Sequence, residues 1–236
     1  MNETAQGKES LKPMLPRLKF RRFSTVELLV ALALLFFFFP FVEEVQGGDV
    51  IVSILLSLVL LSAVLAVADR KRVFFIALVL AIPAIIGRWI NHFRPDLLPS
   101  PVFLIAGLAL IAFVVANLLL FVLRAPSENT DVLCASISAY LMLGLLWTVA
   151  YWLVAQVTPN AFAFNTATGT KETMAGFNAF YFSFITLSTV GYGDITPLSR
   201  IARWLAATEA MTGLLYVTVL IARLVSLYSA PKSYHS

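Results

Sequence analysis

The chain has 236 residues, of which 60% are hydrophobic and only 13% are charged. Together with a mean hydropathy of +0.88, this composition excludes an ordinary water-soluble domain and predicts an integral membrane protein. A single cysteine, Cys134, excludes an intrachain disulfide. The sequence contains no cluster with metal-ligand spacing, no nucleophile constellation and no phosphate loop, so we expect neither an enzyme nor a bound cofactor.

Six apolar stretches follow one another along the chain, each near the roughly 20 residues that a helix needs to cross a bilayer. We place them at 24–42, 50–68, 72–90, 101–123, 132–157 and 198–227. Helix-start residues lie at or near the beginnings of five of them: Ser24 with Glu27, Asp49, Ser100-Pro101, Asp131 and Thr196-Pro197. The sequence therefore predicts an all-α membrane protein.

Basic residues are distributed unevenly between the two ends of these helices. Twelve of the 17 Lys and Arg residues fall in the N-terminal tail, around the second connection, after the fourth stretch and at or beyond the C-terminal end of the sixth stretch. The positive-inside rule then places both termini in the cytoplasm, in a multi-pass protein of the cell membrane. The net charge of +4 reflects this topology and does not indicate nucleic-acid binding. The same topology makes the 158–197 connection extracellular.

The most informative run is TVGYGD at residues 189–194, which lies in that connection. A short amphipathic stretch, 177–188, precedes the run, and the last two apolar stretches flank it. Over about residues 131–228, this order and this run resemble the pore module of tetrameric potassium channels. The resemblance implies an outer helix, a re-entrant pore helix, a selectivity filter and an inner helix in each chain. It also implies a homotetramer with fourfold symmetry around one axial pore.

In this resemblance the filter consists of Thr189, Val190, Gly191, Tyr192, Gly193 and Asp194. Oxygens of Thr189, Val190, Gly191 and Tyr192 would replace the water of a potassium ion, with one strand from each of four chains. Successive carbonyl groups can face the same way only where ordinary and left-handed backbone dihedrals alternate. Glycine reaches left-handed values without steric cost, which accounts for Gly191 and Gly193. We expect the side chains of Val190 and Tyr192 to point into the packing behind the strand.

The residues that support the filter differ from those of many members of this family, which place two tryptophans in the pore helix. Here the aligned residues are Tyr181 and Phe182. Tyr181 can still donate to Asp194, whereas Phe182 offers nothing to the Tyr192 hydroxyl group. Some bacterial relatives carry an acid where this chain has Ile185. We therefore expect fewer polar contacts around the filter.

The expected substitutes for this bracing are Thr186, Ser188 and Glu209. Glu209 is the only acid deep in the predicted inner helix, where an ionisable group is costly unless it has a partner. We expect it to face the back of the pore helix, protonated and able to donate, with Thr186, Ser188 or Tyr192 as its partner. The alternative is an acid near the outer interface that snorkels to the surface or pairs with Arg203.

The inner helix should line the cavity below the filter. Gly213 matches the spacing of the hinge glycine in similar channels, and it is either a flexible point or a small residue that lets helices approach. By alignment the cavity face consists of Leu214, Val217, Ile221 and Val225, which would be apolar and able to gate by dewetting. An ordinary lipid-contact or helix-contact stripe is the alternative.

We divide the chain into a cytoplasmic tail (1–22), a four-helix transmembrane domain (23–125), a pore domain (126–228) and a short cytoplasmic tail (229–236). Six-helix potassium channels commonly sense voltage with arginines on the fourth helix, but the stretch 101–123 carries no charge. We therefore expect an accessory domain for assembly, lipid contact or a ligand.

The favoured function is a potassium-selective channel without steep voltage gating. Its expected partners are potassium ions, membrane lipid and three further copies of the chain. The alternative is a non-conducting or regulatory membrane subunit, in which the four helices sense a signal and the pore module mainly assembles.

Overall fold

The computed structural model describes residues 24–42, 45–68, 71–94, 100–125, 130–165 and 172–228. Six helices of this part of the chain are long and apolar enough to cross a bilayer. They are α1 (Ser24–Val42), α2 (Gly48–Ala66), α3 (Lys71–Phe93), α4 (Ser100–Arg124), α5 (Thr130–Val157) and α7 (Arg200–Tyr228). The predicted all-α membrane fold is confirmed, and each predicted span ends within three residues of its helix. Both predicted tails, 1–22 and 229–236, lie outside the described residues.

A short helix, α6 (Gly176–Leu187), lies in the connection between α5 and α7. With 12 residues it is too short to span a bilayer, and it corresponds to the predicted pore helix. Two short antiparallel strands flank it in the chain, β1 (Phe162–Phe164) and β2 (Ile195–Pro197). This strand pair was not predicted.

The start of α7 was predicted too early. The Thr196-Pro197 pair, expected to open the helix, lies in β2, where Pro197 is opposite Phe162 of β1. The helix is instead capped by Ser199, whose Oγ accepts a hydrogen bond from the N–H of Ala202 at 3.1 Å. Strand pairing with the preceding connection keeps the Thr196-Pro197 pair extended, and a proline is as compatible with a short edge strand as with a first helical turn.

The four N-terminal helices pack in sequence, α1 on α2, α2 on α3 and α3 on α4, and both α1 and α4 pack on α5. One hydrophobic core runs through all of them and continues into α6. Leu28 of α1, Leu118 of α4, Met142 of α5 and Leu187 of α6 are all almost completely buried in it. The four-helix part and the pore part therefore share a core, and the boundary at 125 stays a prediction.

Helix α1 also packs against α6 through aromatic rings. The ring of Phe36 lies 5.2 Å from that of Phe184, and the ring of Phe39 lies 5.1 Å from that of Phe180, both in edge-to-face arrangements. Such pairs add about 0.5–1.5 kcal/mol each beyond their buried area. The first helix of the chain thus contacts the pore helix directly.

Candidate functional site

Residues 189–194, the filter segment, connect α6 to β2 without regular secondary structure. Alternate residues of this segment, counted from Thr189, have a left-handed backbone: φ is 60° at Thr189, 54° at Gly191 and 81° at Gly193. The residues between them, Val190 and Tyr192, do not have a positive φ. The sequence predicted this alternation for the two glycines. It did not predict the left-handed conformation of Thr189.

The end of α6 holds the first half of the filter segment. The carbonyl group of Ile185 accepts from the N–H groups of Val190 at 2.8 Å and of Gly191 at 3.3 Å, and the carbonyl group of Thr186 accepts from the N–H of Thr189 at 2.9 Å. Ile185 and Thr186 therefore support the filter segment with their backbone. These bonds satisfy donors that would otherwise be left over where the helix stops.

The second half of the filter segment is held by Tyr181 and by the residue after β1, Asn165. The hydroxyl group of Tyr181 donates to Oδ2 of Asp194 at 2.7 Å, as the sequence predicted. The backbone N–H of Asn165 donates to the carbonyl group of Asp194 at 2.7 Å, and its Nδ2 donates to the carbonyl group of Gly193 at 2.9 Å. The β1–β2 pairing brings Asn165 to this position.

Val190 and Tyr192 are 53% and 72% exposed, respectively. The packing that we expected behind the strand is therefore not formed within the described part of a single chain. Phe182, next to Tyr181, is buried and directed elsewhere: its ring lies 4.9 Å from that of Tyr151 and 5.7 Å from that of Phe162. It supports the pore helix by apolar packing.

Glu209 of α7 is completely buried among α5, α6 and α7. The hydroxyl group of Tyr151 donates to its Oε2, and the hydroxyl group of Ser183 lies 2.6 Å from its Oε1. Ser183 Oγ is also 2.8 Å from the carbonyl group of Gly144. These three contacts tie the pore helix to both the outer and the inner helix. Such contacts are needed because a buried carboxyl group without hydrogen bonds is strongly destabilising.

The partners expected for Glu209 were wrong. Ser188 donates within its own helix, to the carbonyl group of Phe184 at 2.7 Å, and Tyr192 is largely exposed. The alternative pairing with Arg203 was also wrong, because Glu209 is buried and Nε of Arg203 donates to a backbone carbonyl group. The reason is where the two helices cross. Gly213 of α7 contacts Leu187 at the end of α6, and Glu209, one helical turn before Gly213, therefore lies beside Ser183, one turn before Leu187.

That crossing occurs at Gly213. A Cβ atom there would lie 2.0 Å from the carbonyl oxygen of Leu187, the last residue of α6. This favours the interpretation of Gly213 as a small residue that permits close approach, and its role as a hinge stays a prediction. Of the predicted cavity face, Leu214, Val217 and Ile221 are 62%, 41% and 55% exposed, whereas the side chain of Val225 lies outside the described residues.

Residues 140–230 match a family model described as an ion channel. "Two-pore potassium channel 4" of Arabidopsis thaliana is 36% identical over 105 residues, which cover 44% of this chain and 36% of that protein. "Two pore potassium channel b" of Oryza sativa subsp. japonica is 35% identical over 85 residues, 36% of this chain and 21% of that protein. Over less than half of its length, the chain is thus similar to ion channels and to two plant potassium channels.

The chain spans only about a third of the first of these potassium channel relatives and about a fifth of the second. "Protein LctB" of Bacillus caldotenax is 42% identical over 48 residues, 20% of this chain and 35% of that protein. No solved structure matches the chain with comparable significance. The region that the family model matches contains most of α5, the whole of α6 and α7 and the filter segment between them, and it does not reach α1–α4.

Sequence reasoning missed three side chains around the filter segment and Glu209: Asn165, Tyr151 and Ser183. Ser183 had a usable signal, since it is a polar residue on an otherwise apolar face of a short helix. Asn165 and Tyr151 had none, because their roles depend on the β1–β2 pairing and on the distance between α5 and α7.

Proposed function

We propose that the chain is a subunit of a potassium-selective channel in which the filter segment conducts dehydrated ions. The observation that carries the proposal is the alternation of left-handed φ at Thr189, Gly191 and Gly193 within TVGYGD, at the end of a short helix. Backbone carbonyl oxygens of Thr189, Val190, Gly191 and Tyr192 would replace the hydration shell of the ion. The names of the two plant relatives support potassium as the ion.

We further propose that four identical chains surround one pore. The sequence holds a single TVGYGD run, and a filter of this kind needs four. Exposure supports the assembly: only 11% of the most apolar part of α7 is buried in one chain, against 50% for α5. Neighbouring copies would cover Val190, Tyr192 and the open face of α7, and lipid would cover the remaining apolar surface.

In this assembly the exposed face of α7 would line a cavity on the cytoplasmic side of the filter. Its residues Leu214, Val217 and Ile221 are apolar, so the cavity could gate by dewetting. The C-terminal end of α6 would face the same region, and the helix dipole there favours a cation. We propose that both termini lie in the cytoplasm and that the protein lies in the cell membrane, because the basic residues are concentrated on the side of the termini.

The proposal is tested by flux through the purified protein in liposomes. We expect potassium and rubidium to permeate and sodium and lithium to be excluded, with gel filtration and cross-linking reporting a tetramer. Equal fluxes of sodium and potassium would contradict the proposed selectivity. A stable tetramer that carries no cation would instead support the alternative of a regulatory or sensor subunit.

A further inference from the structure

A cavity of about 310 Å³ lies between the four-helix part and the pore part of the chain. Its wall is formed by residues of all five helices α1–α5 and by the segment that opens α6. This volume is at the lower end of the range of small-molecule sites, roughly 300–1,000 Å³. The cavity is distinct from the filter segment, since none of residues 189–194 lines it.

The two charged residues of the cavity and the indole of Trp152 share one end. Asp49 lies in the first turn of α2, Arg88 and Trp152 lie near the C-terminal ends of α3 and α5, and Gly176 opens α6. Since α2 runs opposite to α3 and α5, these positions lie at the level of the β1–β2 pair.

The other end of the cavity is apolar and is formed by Leu60, Ile111 and Leu145. The 11 residues from Asp49 to Leu60 span about 16 Å at about 1.5 Å per residue. The cavity thus has a polar end and an apolar end, which match the head group and the hydrocarbon chain of an amphiphile that lies along the helices.

Two donors in this wall have no acceptor. Nε of Arg88 and Nε1 of Trp152 are buried and form no hydrogen bond within the part of the chain that the structure describes. The charge of Asp49 acts on Arg88, but the side chain of Asp49 is exposed. A buried N–H donor without an acceptor is costly, and two such donors at one end of the cavity favour an anionic or strongly accepting group there.

We propose that the cavity binds a single-chain amphiphile with a carboxylate head group. The head group accepts from Arg88 and Trp152, because a guanidinium fork matches a carboxylate with two parallel hydrogen bonds. The hydrocarbon chain extends toward Leu60 and Leu145. The volume accommodates one chain of this kind, and the surrounding bilayer is a source of such molecules.

Gly107 of α4 offers a variant that fills the cavity. It lines the wall, and no atom lies within 4 Å of the position that a Cβ would take. A leucine there enters the cavity without a clash and replaces a residue of low helix propensity.

The experiment measures equilibrium binding of a radiolabelled long-chain fatty acid to the purified tetramer at alkaline pH, where the carboxyl group is ionised. We expect saturable binding of one molecule per chain. The methyl ester of the same acid should bind about tenfold or more weakly, as should the acid to Arg88→Gln. The Gly107→Leu variant should lose the binding, whereas Arg124→Gln, at the opposite end of the bundle, should bind as the unaltered protein does.

Two outcomes overturn the proposal. Equal affinity of the unaltered protein for acid and ester shows that the head group is not recognised, and a neutral amphiphile is then the better candidate. Undiminished binding to Gly107→Leu shows that the ligand lies elsewhere. Neither measurement depends on Arg88→Gln folding, and gel filtration of each variant confirms its assembly.

Discussion

At Thr189 the backbone φ is 60°, a region that β-branched residues rarely adopt. A left-handed conformation costs an L-residue about 1–2 kcal/mol, and such strain persists only where the surroundings over-determine it. Three successive N–H groups, those of residues 189–191, are bound by carbonyl groups at the end of α6. These bonds force the conformation and orient the residue that would form the innermost ion site.

Gly191→Ala tests the backbone requirement of the filter segment. Its φ is 54° and no atom lies within 4 Å of a Cβ built there, so alanine is disfavoured by conformation and not by contact. We expect potassium flux to be abolished while the tetramer still forms. The matched control is Gly47→Ala, which has a φ of 83° and an equally open Cβ position far from the pore. The Gly47→Ala variant should lose a similar amount of folding free energy, about 1–2 kcal/mol, and conduct potassium normally.

Glu209→Gln and Glu209→Ala test the buried network. The network has three hydrogen-bond contacts: Tyr151 with Glu209, Ser183 with Glu209, and Ser183 with the carbonyl group of Gly144. The hydroxyl groups of Tyr151 and Ser183 supply only two protons, so a protonated Glu209 would supply the third by donating to Ser183. Glutamine offers the same acceptor and donor and should largely preserve flux. Alanine leaves the buried hydroxyl group of Tyr151 without its acceptor, at a cost of about 1–3 kcal/mol, while Ser183 keeps its hydrogen bond to the carbonyl group of Gly144. Unchanged flux and unfolding temperature in the alanine variant would show that Glu209 is no brace.

At the scale of elements, two contacts position the filter segment from outside α6. The β1–β2 pair holds the end of the segment at Asp194, and the crossing of α6 and α7 holds the end at Thr189. Both contacts connect segments that are distant in sequence. The position of the filter segment therefore depends on the packing of α5 and α7 as much as on its own residues.

Asn165→Ala tests the strand contact. It removes the hydrogen bond from Nδ2 to the carbonyl group of Gly193 and leaves the backbone bond to Asp194. We expect lower potassium flux or faster loss of conduction in single-channel recordings, with little effect on assembly. Asn178→Ala is the control, since its Nδ2 also donates to a backbone carbonyl group, that of Thr173, in the same connection. Identical recordings from both variants would rule out a role for Asn165 at the Asp194 end of the segment.

Gly213→Ala tests the helix crossing. A Cβ atom 2.0 Å from the Leu187 carbonyl oxygen cannot be accommodated unless α6 and α7 separate. Overpacking of this kind costs about 1–3 kcal/mol, so we expect a lower unfolding temperature and reduced flux together. If Gly213 acts only as a hinge, the alanine variant should instead change the open probability of the channel and leave its unfolding temperature unchanged.

At the scale of the whole molecule, the four-helix part is joined to the pore by a shared core and by the aromatic contacts of α1 with α6. This continuity gives the four helices a direct mechanical connection to the pore helix. It does not require them to carry charge. Helix α4 has one charged residue, Arg124, and that residue lies at its end.

Voltage dependence tests the role of that part. Each charge that moves across the membrane field contributes roughly 2.3 kcal/mol per 100 mV, and α4 offers no such charges within the span. We expect the open probability in single-channel recordings to change only weakly over a wide range of potentials. An e-fold rise over a few millivolts would contradict this reading.

Much of this protein could be predicted from the order of its residues. Apolar length alone located six helices within three residues of their bounds, because a bilayer demands a fixed span whatever packs beside it. The positions of Gly191 and Gly193 predicted left-handed backbone, because the residue type limits φ locally. The resemblance to potassium channels predicted Tyr181 as a donor to Asp194.

Contacts between distant segments could not be predicted in this way. Glu209 was correctly expected behind the pore helix, but its partners depend on where α7 crosses α6 and on how far Tyr151 reaches from α5. The strand pair that holds Asn165 and the cavity beside Arg88 likewise arise from segments that meet only in the folded chain. Residue spacing determines which face of one helix a side chain occupies, whereas its partners depend on distances that only the packed helices establish.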